Sequence, residues 1–219
     1  ASDRFGYAVA LASDASRALV GAYDDDTPGG TNAGSARVFL RTGTTWAEEA
    51  TLLASDGAAS DLLGISVALS SDASRALVGA NTDDTAGGTD AGSAHLFLRS
   101  GTTWSEAATL VPSDGATSDQ FGYPVSLSSD GSRALVAAYL DDTVGGADAG
   151  SARVFTFRPA DPNGTTCTNG STCLSGLCVD GVCCDSACGG GATDCQSCRS
   201  AQTGIASGTC APLSAAVAP

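Results

Sequence analysis

The sequence predicts an all-β fold of tandem four-stranded antiparallel sheets, and three observations carry that prediction. The chain repeats itself every 58 residues: Asp3, Asp61 and Asp119 share the spacing, as do Gly6, Gly64 and Gly122, and Trp46 and Trp104. A fixed period of this size marks a repeat architecture. Within each repeat, large and very small residues alternate with period two, the pattern of a strand whose side chains point to opposite faces. Glycine recurs inside or beside most of these segments and no 3.6-residue periodicity is sustained, so a helical reading fails.

The elements follow in order. In the first predicted strand Phe5, Tyr7, Val9 and Leu11 alternate with Gly6, Ala8, Ala10 and Ala12. The second repeat gives Leu63, Ile65, Val67 and Leu69, and the third gives Phe121, Tyr123, Val125 and Leu127. Small residues let a second sheet approach closely, so both faces of this strand are expected to be buried. Pro124 interrupts the third copy and places that strand at a sheet edge, since proline cannot donate to a ladder. A polar turn at 13–16 leads to a second strand at 17–23. The segment 13–22, SDASRALVGA, recurs unchanged at 71–80 and with two changes at 129–138. An acidic, glycine-rich loop at 24–34 precedes a third strand at 35–41, and a turn at 42–44 precedes a fourth at 46–53. Four short strands joined by turns at a fixed period read as propeller blades. The repeats span 1–58, 59–116 and 117–158. The third lacks its fourth strand, because a linker at 159–166 stands in its place, which leaves about eleven strands.

The cysteines define a second region. All nine (Cys167, Cys173, Cys178, Cys183, Cys184, Cys188, Cys195, Cys198 and Cys210) fall within 167–219, and none precedes them. No aromatic residue follows Phe157, so this module cannot bury much apolar surface and needs covalent staples. Zinc is the alternative use of Cys195 and Cys198, near Cys183, Cys184 and Cys188. With no histidine nearby and dense, uneven spacing, disulfides of an exported module are the better reading. Nine is odd, so one cysteine is free, pairs between chains or lacks its partner.

The chain contains no lysine, and ten arginines against 24 acidic residues give a net charge of −14. Such a surface repels phosphate backbones, which argues against nucleic acid and for cationic partners or divalent ions. No apolar run approaches the roughly 20 residues of a membrane span. No signal peptide is visible, but Ala1-Ser2-Asp3 reads as the middle of a repeat. Without lysine there is no Gly-Lys phosphate cradle. His95 is the single histidine, standing where the other repeats have Arg37 and Arg153, and no catalytic role is expected of it. A carboxylate pair for glycoside hydrolysis is disfavoured because the acidic residues recur in every repeat, whereas an active site needs a unique constellation.

Phe-Gly at 5–6 and 121–122, Leu-Gly at 63–64, Leu-Val-Gly-Ala at 19–22 and 77–80, and Gly-Ser-Ala-Arg-Val-Phe at 34–39 and 150–155 resemble the FG-GAP repeat. The resemblance covers residues 1 to about 158. It implies the blades of an integrin α-like β-propeller, a fold also found in secreted bacterial proteins. That family often carries a calcium loop between its first two strands. Here the loop is Ser-Asp-Ala-Ser-Arg at 13–17 and 71–75, and Ser-Asp-Gly-Ser-Arg at 129–133. One carboxylate per loop falls short of the six to eight oxygens that calcium prefers, so this site is not carried over. The tail, through 178–190 and Cys195-Gln196-Ser197-Cys198, is similar to cysteine-rich repeats of secreted myxobacterial proteins. That similarity implies a secreted or cell-surface protein.

The candidate metal ligands, for calcium, are Asp24, Asp25 and Asp26, recurring as Asp83 and Asp84 and as Asp141 and Asp142. Each group is followed by Thr and a Gly-Gly pair. Asp56, Asp61, Asp114 and Asp119 of the inter-repeat connections are expected on the same side. The other reading is that Asp and Gly here simply form turns. Trp46 and Trp104 are candidate sugar platforms, alternatively packing residues. Three blades cannot close a ring, so the chain is a fragment of a larger propeller, completes one with other copies, or forms an open stack. The expected function is a non-catalytic extracellular adhesion, binding or assembly module. Its partners would be protein or glycan at the cell surface, or further copies through the open blades. A lectin supported by the tryptophans with Tyr7, Tyr23, Tyr123 and Tyr139 is one alternative. An accessory domain of a secreted hydrolase is the other.

Overall fold

A computed structural model describes residues 2–157 and, beyond them, the short strands Cys178–Val179, Val182–Cys183, Gln196–Ser197 and Ala211–Pro212. The chain divides into two compact bodies, Ala1–Thr156 and Phe157–Pro219. In the second body, Cys178–Val179 pairs antiparallel with Val182–Cys183, and Gln196–Ser197 with Ala211–Pro212. The cysteine side chains, and with them the expected disulfides or zinc site, lie outside the described residues.

The first body is all β. Repeat 1 forms a sheet of β1 (Val9–Leu11), β2 (Arg17–Ala22), β3 (Ser35–Thr42) and β4 (Thr45–Leu52). Repeat 2 forms another of β5 (Ser66–Leu69), β6 (Arg75–Ala80), β7 (Ser93–Ser100) and β8 (Thr103–Leu110). Repeat 3 forms a sheet of β9 (Phe121–Leu127), β10 (Arg133–Ala138) and β11 (Ser151–Thr156). All are antiparallel meanders in sequence order, the simplest topology for strands joined by short turns. Pro124 lies on β9, at the edge of its sheet as the sequence predicts.

The two faces of each sheet differ. One carries Ala10, Leu19, Val38 and Ala50 in register, repeated as Ala68, Leu77, Leu96 and Ala108. The other carries Val9, Val20 and Arg37, repeated as Val67, Val78 and His95 and again as Val125, Val136 and Arg153. The small-residue face of repeat 1 packs on the large-residue face of repeat 2. Leu19, Val38 and Leu52 meet Leu63, Val78 and Phe97 there in one buried core. Each such side chain contributes about 1.5–3 kcal/mol on burial.

Two glycines set how closely the sheets approach. A Cβ on Gly21 would sit 2.0 Å from the Gly64 carbonyl oxygen, and one on Gly79 would sit 1.9 Å from that of Gly122. The third repeat has Ala137 at this position.

The first strands of repeats 1 and 2 start later than the alternation predicts, at Val9 and Ser66, whereas β9 covers the whole of Phe121–Leu127 although Gly122, like Gly6 and Gly64, has a positive φ. The expectation that both faces are buried holds for repeat 2, where Leu63 and Ile65 of one face and Ser66 of the other are buried. It fails for repeat 1: Phe5 and Tyr7 are each 53% exposed, Val9 69% and Leu11 59%. Among the described residues no sheet stands before β1 to cover them.

Candidate functional site

The acidic loops are built as connectors. Thr27 and Gly30 exchange both backbone hydrogen bonds, as do Thr85 with Gly88 and Thr143 with Gly146, which pinches each loop into a tight hairpin. Asp26, Asp84 and Asp142 each accept a hydrogen bond through Oδ1 from the backbone N–H six residues on, at 2.9, 2.9 and 2.8 Å. The first two loops then bond the connection leading to the next repeat: Ser60 N–H donates to Thr31 O, and Ser118 N–H to Thr89 O. The Gly-Gly pairs permit this approach, since a Cβ on Gly29 would lie 2.5 Å from Gly57 O. Asp61 and Asp119 are buried in those connections and accept the Ala58 and Ala116 N–H groups. Burial, with Asp83, Asp56 and Asp84 nearby, pushes the Asp61 carboxyl up. Loops and connections thus share one rim, on which Asp26, Asp56, Asp84, Asp114 and Asp142 are exposed. Asp24 pairs with Arg4 at 2.7 Å.

The turns between first and second strands, where the resemblance would place calcium, are closed by their own side chains. Asp14 Oδ1 accepts Ser16 N–H at 2.8 Å, and Asp72 accepts Ser74 N–H together with the Ser70 and Ser74 hydroxyls. Asp130 does the same with Ser128 and Ser132, whose hydrogen bonds draw its carboxyl down to about 2.

The tryptophans part company. Trp104 is half-buried against the core between repeats 1 and 2, and its indole N–H donates to Glu49 Oε2 at 3.2 Å. Trp46, on β4, is 42% exposed. Tyr7 meets Tyr23, and Tyr123 meets Tyr139, edge to face with centroids 4.7 and 6.0 Å apart. Two small grooves, of about 240 and 190 Å³, recur between loop and connection beside Gly29 and Gly87. Both fall below the roughly 300 Å³ at which small-molecule sites begin.

One position gathers chemistry that the sequence did not reveal. On β3, β7 and β11 the residues Arg37, His95 and Arg153 face the acidic rim. Arg37 reaches Asp25 Oδ2 at 3.5 Å and Glu48 Oε2 at 3.7 Å. Arg153 reaches Asp114 Oδ2 at 2.5 Å and Asp141 Oδ2 at 3.9 Å. In repeat 2 the cation is replaced by His95, 1% exposed, and Asp56, His95 and Glu106 offer ligand atoms within 4.8 Å of one another. Its Nδ1 lies 2.7 Å from Glu106 Oε1 and its Nε2 lies 2.9 Å from Ser93 Oγ. A β-bulge, in which Leu96 pairs with Ala108 but Phe97 with Glu106, turns Glu106 toward the histidine. Burial works to raise the Glu106 carboxyl, but hydrogen bonds from His95 and from Ser55 N–H outweigh it and hold it below the ordinary glutamate range. Burial raises the Asp83 carboxyl, and the Ser93 hydroxyl and His95 only partly offset that.

Ser93, His95 and Glu106 have the connectivity of an acyl-transfer triad. Ser93 is nevertheless fully buried, so no acyl carbonyl reaches its Oγ, and Ser35 and Ser151 occupy the same position beside arginines. The sequence signal was the histidine itself, at an arginine position of a near-identical repeat. What surrounds it depends on the bulge and on Asp56 arriving from the connection.

A family model described as FG-GAP repeat matches residues 1–39, 46–97 and 104–155. The second and third matches each begin on the last strand of one sheet and run through three strands of the next, which ties neighbouring sheets together in sequence as the packing does in space. No curated protein matches the chain significantly.

Proposed function

We propose, for a chain that belongs to the FG-GAP repeat family, a non-catalytic, extracellular or cell-surface module that binds a macromolecule through the rim of its blades. The observation that carries this reading is the rim itself. Hydrogen bonds between consecutive repeats join the loops and connections, and Asp26, Asp56, Asp84 and Asp142 of the rim are exposed in a chain without lysine, with Asp114 beside them pairing with Arg153. The grooves are too small for a drug-sized molecule, which favours an extended partner surface. The partner's chemistry is basic: a protein presenting arginine and lysine, attracted at long range and held at short range.

Surface plasmon resonance of the full chain against basic and acidic protein surfaces and a glycan array tests this. Saturable binding to the basic surface that weakens as salt rises supports the reading. Binding to glycans alone, lost in a Trp46→Ala variant, moves the assignment to a lectin. Turnover of a polymeric substrate sinks the non-catalytic assignment.

A second reading, self-association, is favoured by the exposed Phe5, Tyr7, Val9 and Leu11 face. Light scattering reads it directly. Concentration-dependent dimers abolished by Val9→Asp support it, and a monomer at all concentrations removes it.

A further inference from the structure

We infer that Asp56, His95 and Glu106 form a binding site for a divalent transition-metal ion of the zinc class, which supplies in repeat 2 the positive charge that arginine supplies in repeats 1 and 3. The three repeats are internal controls for one another. At positions 37, 95 and 153 the neighbourhood is the same in kind: an aspartate of the loop, a serine two residues before, and carboxylates from the fourth strand or the connection. In the flanking repeats a guanidinium, permanently charged, sits among these carboxylates. In the middle repeat the carboxyl groups of Asp56, Asp83 and Glu106 are present and the guanidinium is replaced by an imidazole.

The hydrogen-bond inventory points the same way. Ser35 donates its one hydroxyl hydrogen to Asp25 Oδ2 at 2.6 Å, and the Ser93 hydroxyl bonds Asp83 in the equivalent place. With that hydrogen committed, Ser93 Oγ can only accept from the imidazole, so Nε2 carries the N–H. Nδ1 faces Glu106 Oε1 at 2.7 Å, where a positive centre, either a second ring proton or a metal ion, joins the two. Ser93 in this arrangement orients the ring and fixes its tautomer, as a group behind a metal-bound histidine does.

One imidazole nitrogen with two carboxylates suits zinc and its neighbours in the first row. Calcium, which wants six to eight oxygens, is poorly served. Metal–ligand distances of about 2.0–2.2 Å require Asp56 to move in and the 2.7 Å Nδ1–Glu106 Oε1 contact to open around the ion. Asp56 is exposed on the connection between repeats, beside the buried His95 and the partly buried Glu106. The ion would pin that connection to β7 and β8, clamping repeat 1 to repeat 2.

Because the chain has a single histidine, its imidazole C–H resonances report on this site alone, whatever the cysteines do with metal. The experiment is a titration of the full chain with zinc chloride, followed by those resonances and by Tm, with calcium chloride as comparator. Saturable movement of the imidazole signals and a rise in Tm with zinc at up to about 1 mM, absent with calcium, is the expected result. His95→Arg should fold, since arginine is accommodated at this place twice already, and should lose the zinc-dependent rise in Tm. Glu106→Gln, which keeps an oxygen for Ser55 N–H, should weaken the imidazole response at least about tenfold. Imidazole resonances unmoved by zinc overturn the inference. So does a His95→Arg variant that gains as much Tm from zinc as the parent.

Discussion

Adding one methyl group at Gly79 measures what close approach contributes to holding the repeats together. Gly79 lies on β6 outside the left-handed region, so alanine meets no backbone strain there. Its cost is purely a matter of space: the new Cβ falls 1.9 Å from Gly122 O and 2.5 Å from Ser66 Oγ. A carbon and an oxygen need about 3.2 Å, so the two sheets must separate by more than about 1 Å. That separation breaks the buried Ser66 Oγ–H to Gly122 O hydrogen bond, now 2.6 Å and worth about 1 kcal/mol. It also overpacks the interface at about 1–3 kcal/mol. Alanine recovers about 0.5–1 kcal/mol of backbone entropy, which leaves a net loss of about 1–3.5 kcal/mol. For a body of this size that is a fall in Tm of about 2–14 °C. Urea denaturation gives the free energy, and hydrogen exchange at the β9 amides shows whether repeat 3 has loosened. Gly21→Ala, with Gly64 O at 2.0 Å, should behave alike. A Gly79→Ala protein melting within about 2 °C of the parent refutes the argument that backbone approach fixes the packing.

Further outcomes follow from the same packing and from the charges. Ala137 stands where Gly21 and Gly79 admit the next sheet, and Pro124 stands where Ser66 bonds it. A further repeat or a second copy is therefore barred from repeat 3 in this register; Pro124→Ser with Ala137→Gly should create concentration-dependent head-to-tail oligomers in sedimentation, and an unchanged monomer counts against the bar. Arg17 and Glu49 form a two-pronged pair at 2.7 and 2.6 Å with side chains 11% and 4% exposed. Glu49→Ala leaves the guanidinium buried and alone and should cost about 3–5 kcal/mol, with a change in Trp104 fluorescence; a loss below about 1 kcal/mol would show the pair to be solvated. The Arg17 hydrogen bonds hold the Glu49 carboxyl below its ordinary 4.5. As pH falls the unfolded chain therefore protonates first, and the stability from this pair is complete above about pH 4.5 and lost as pH drops through the folded value. Asp61 has the opposite sign, because burial raises it. Its charged form weakens the fold at neutral pH and its protonated form does not, so Asp61→Asn should raise Tm at neutral pH and leave it unchanged at about pH 3.

Much of this was legible beforehand because a repeat writes its local physics three times. The period, the strand-and-turn order and the two kinds of sheet face depend on neighbours one or two residues apart, and each recurs in register. Pro124 announced an edge because a missing N–H forbids a ladder on both sides. The acidic loops announced turns, and turns they are. Which faces would be covered was another matter. Phe5 and Leu63 stand at equivalent positions 58 residues apart, yet one is open and the other buried, since coverage depends on the sheet next door. The environment of His95 was equally hidden. Its partners come from a bulge in β8 and from a connection 39 residues away at Asp56, and long-range packing alone brings them together. The sequence determined the repeating strands and the charges they carry. The tertiary structure decided which of those charges meet, because that follows from how one sheet stacks on the next.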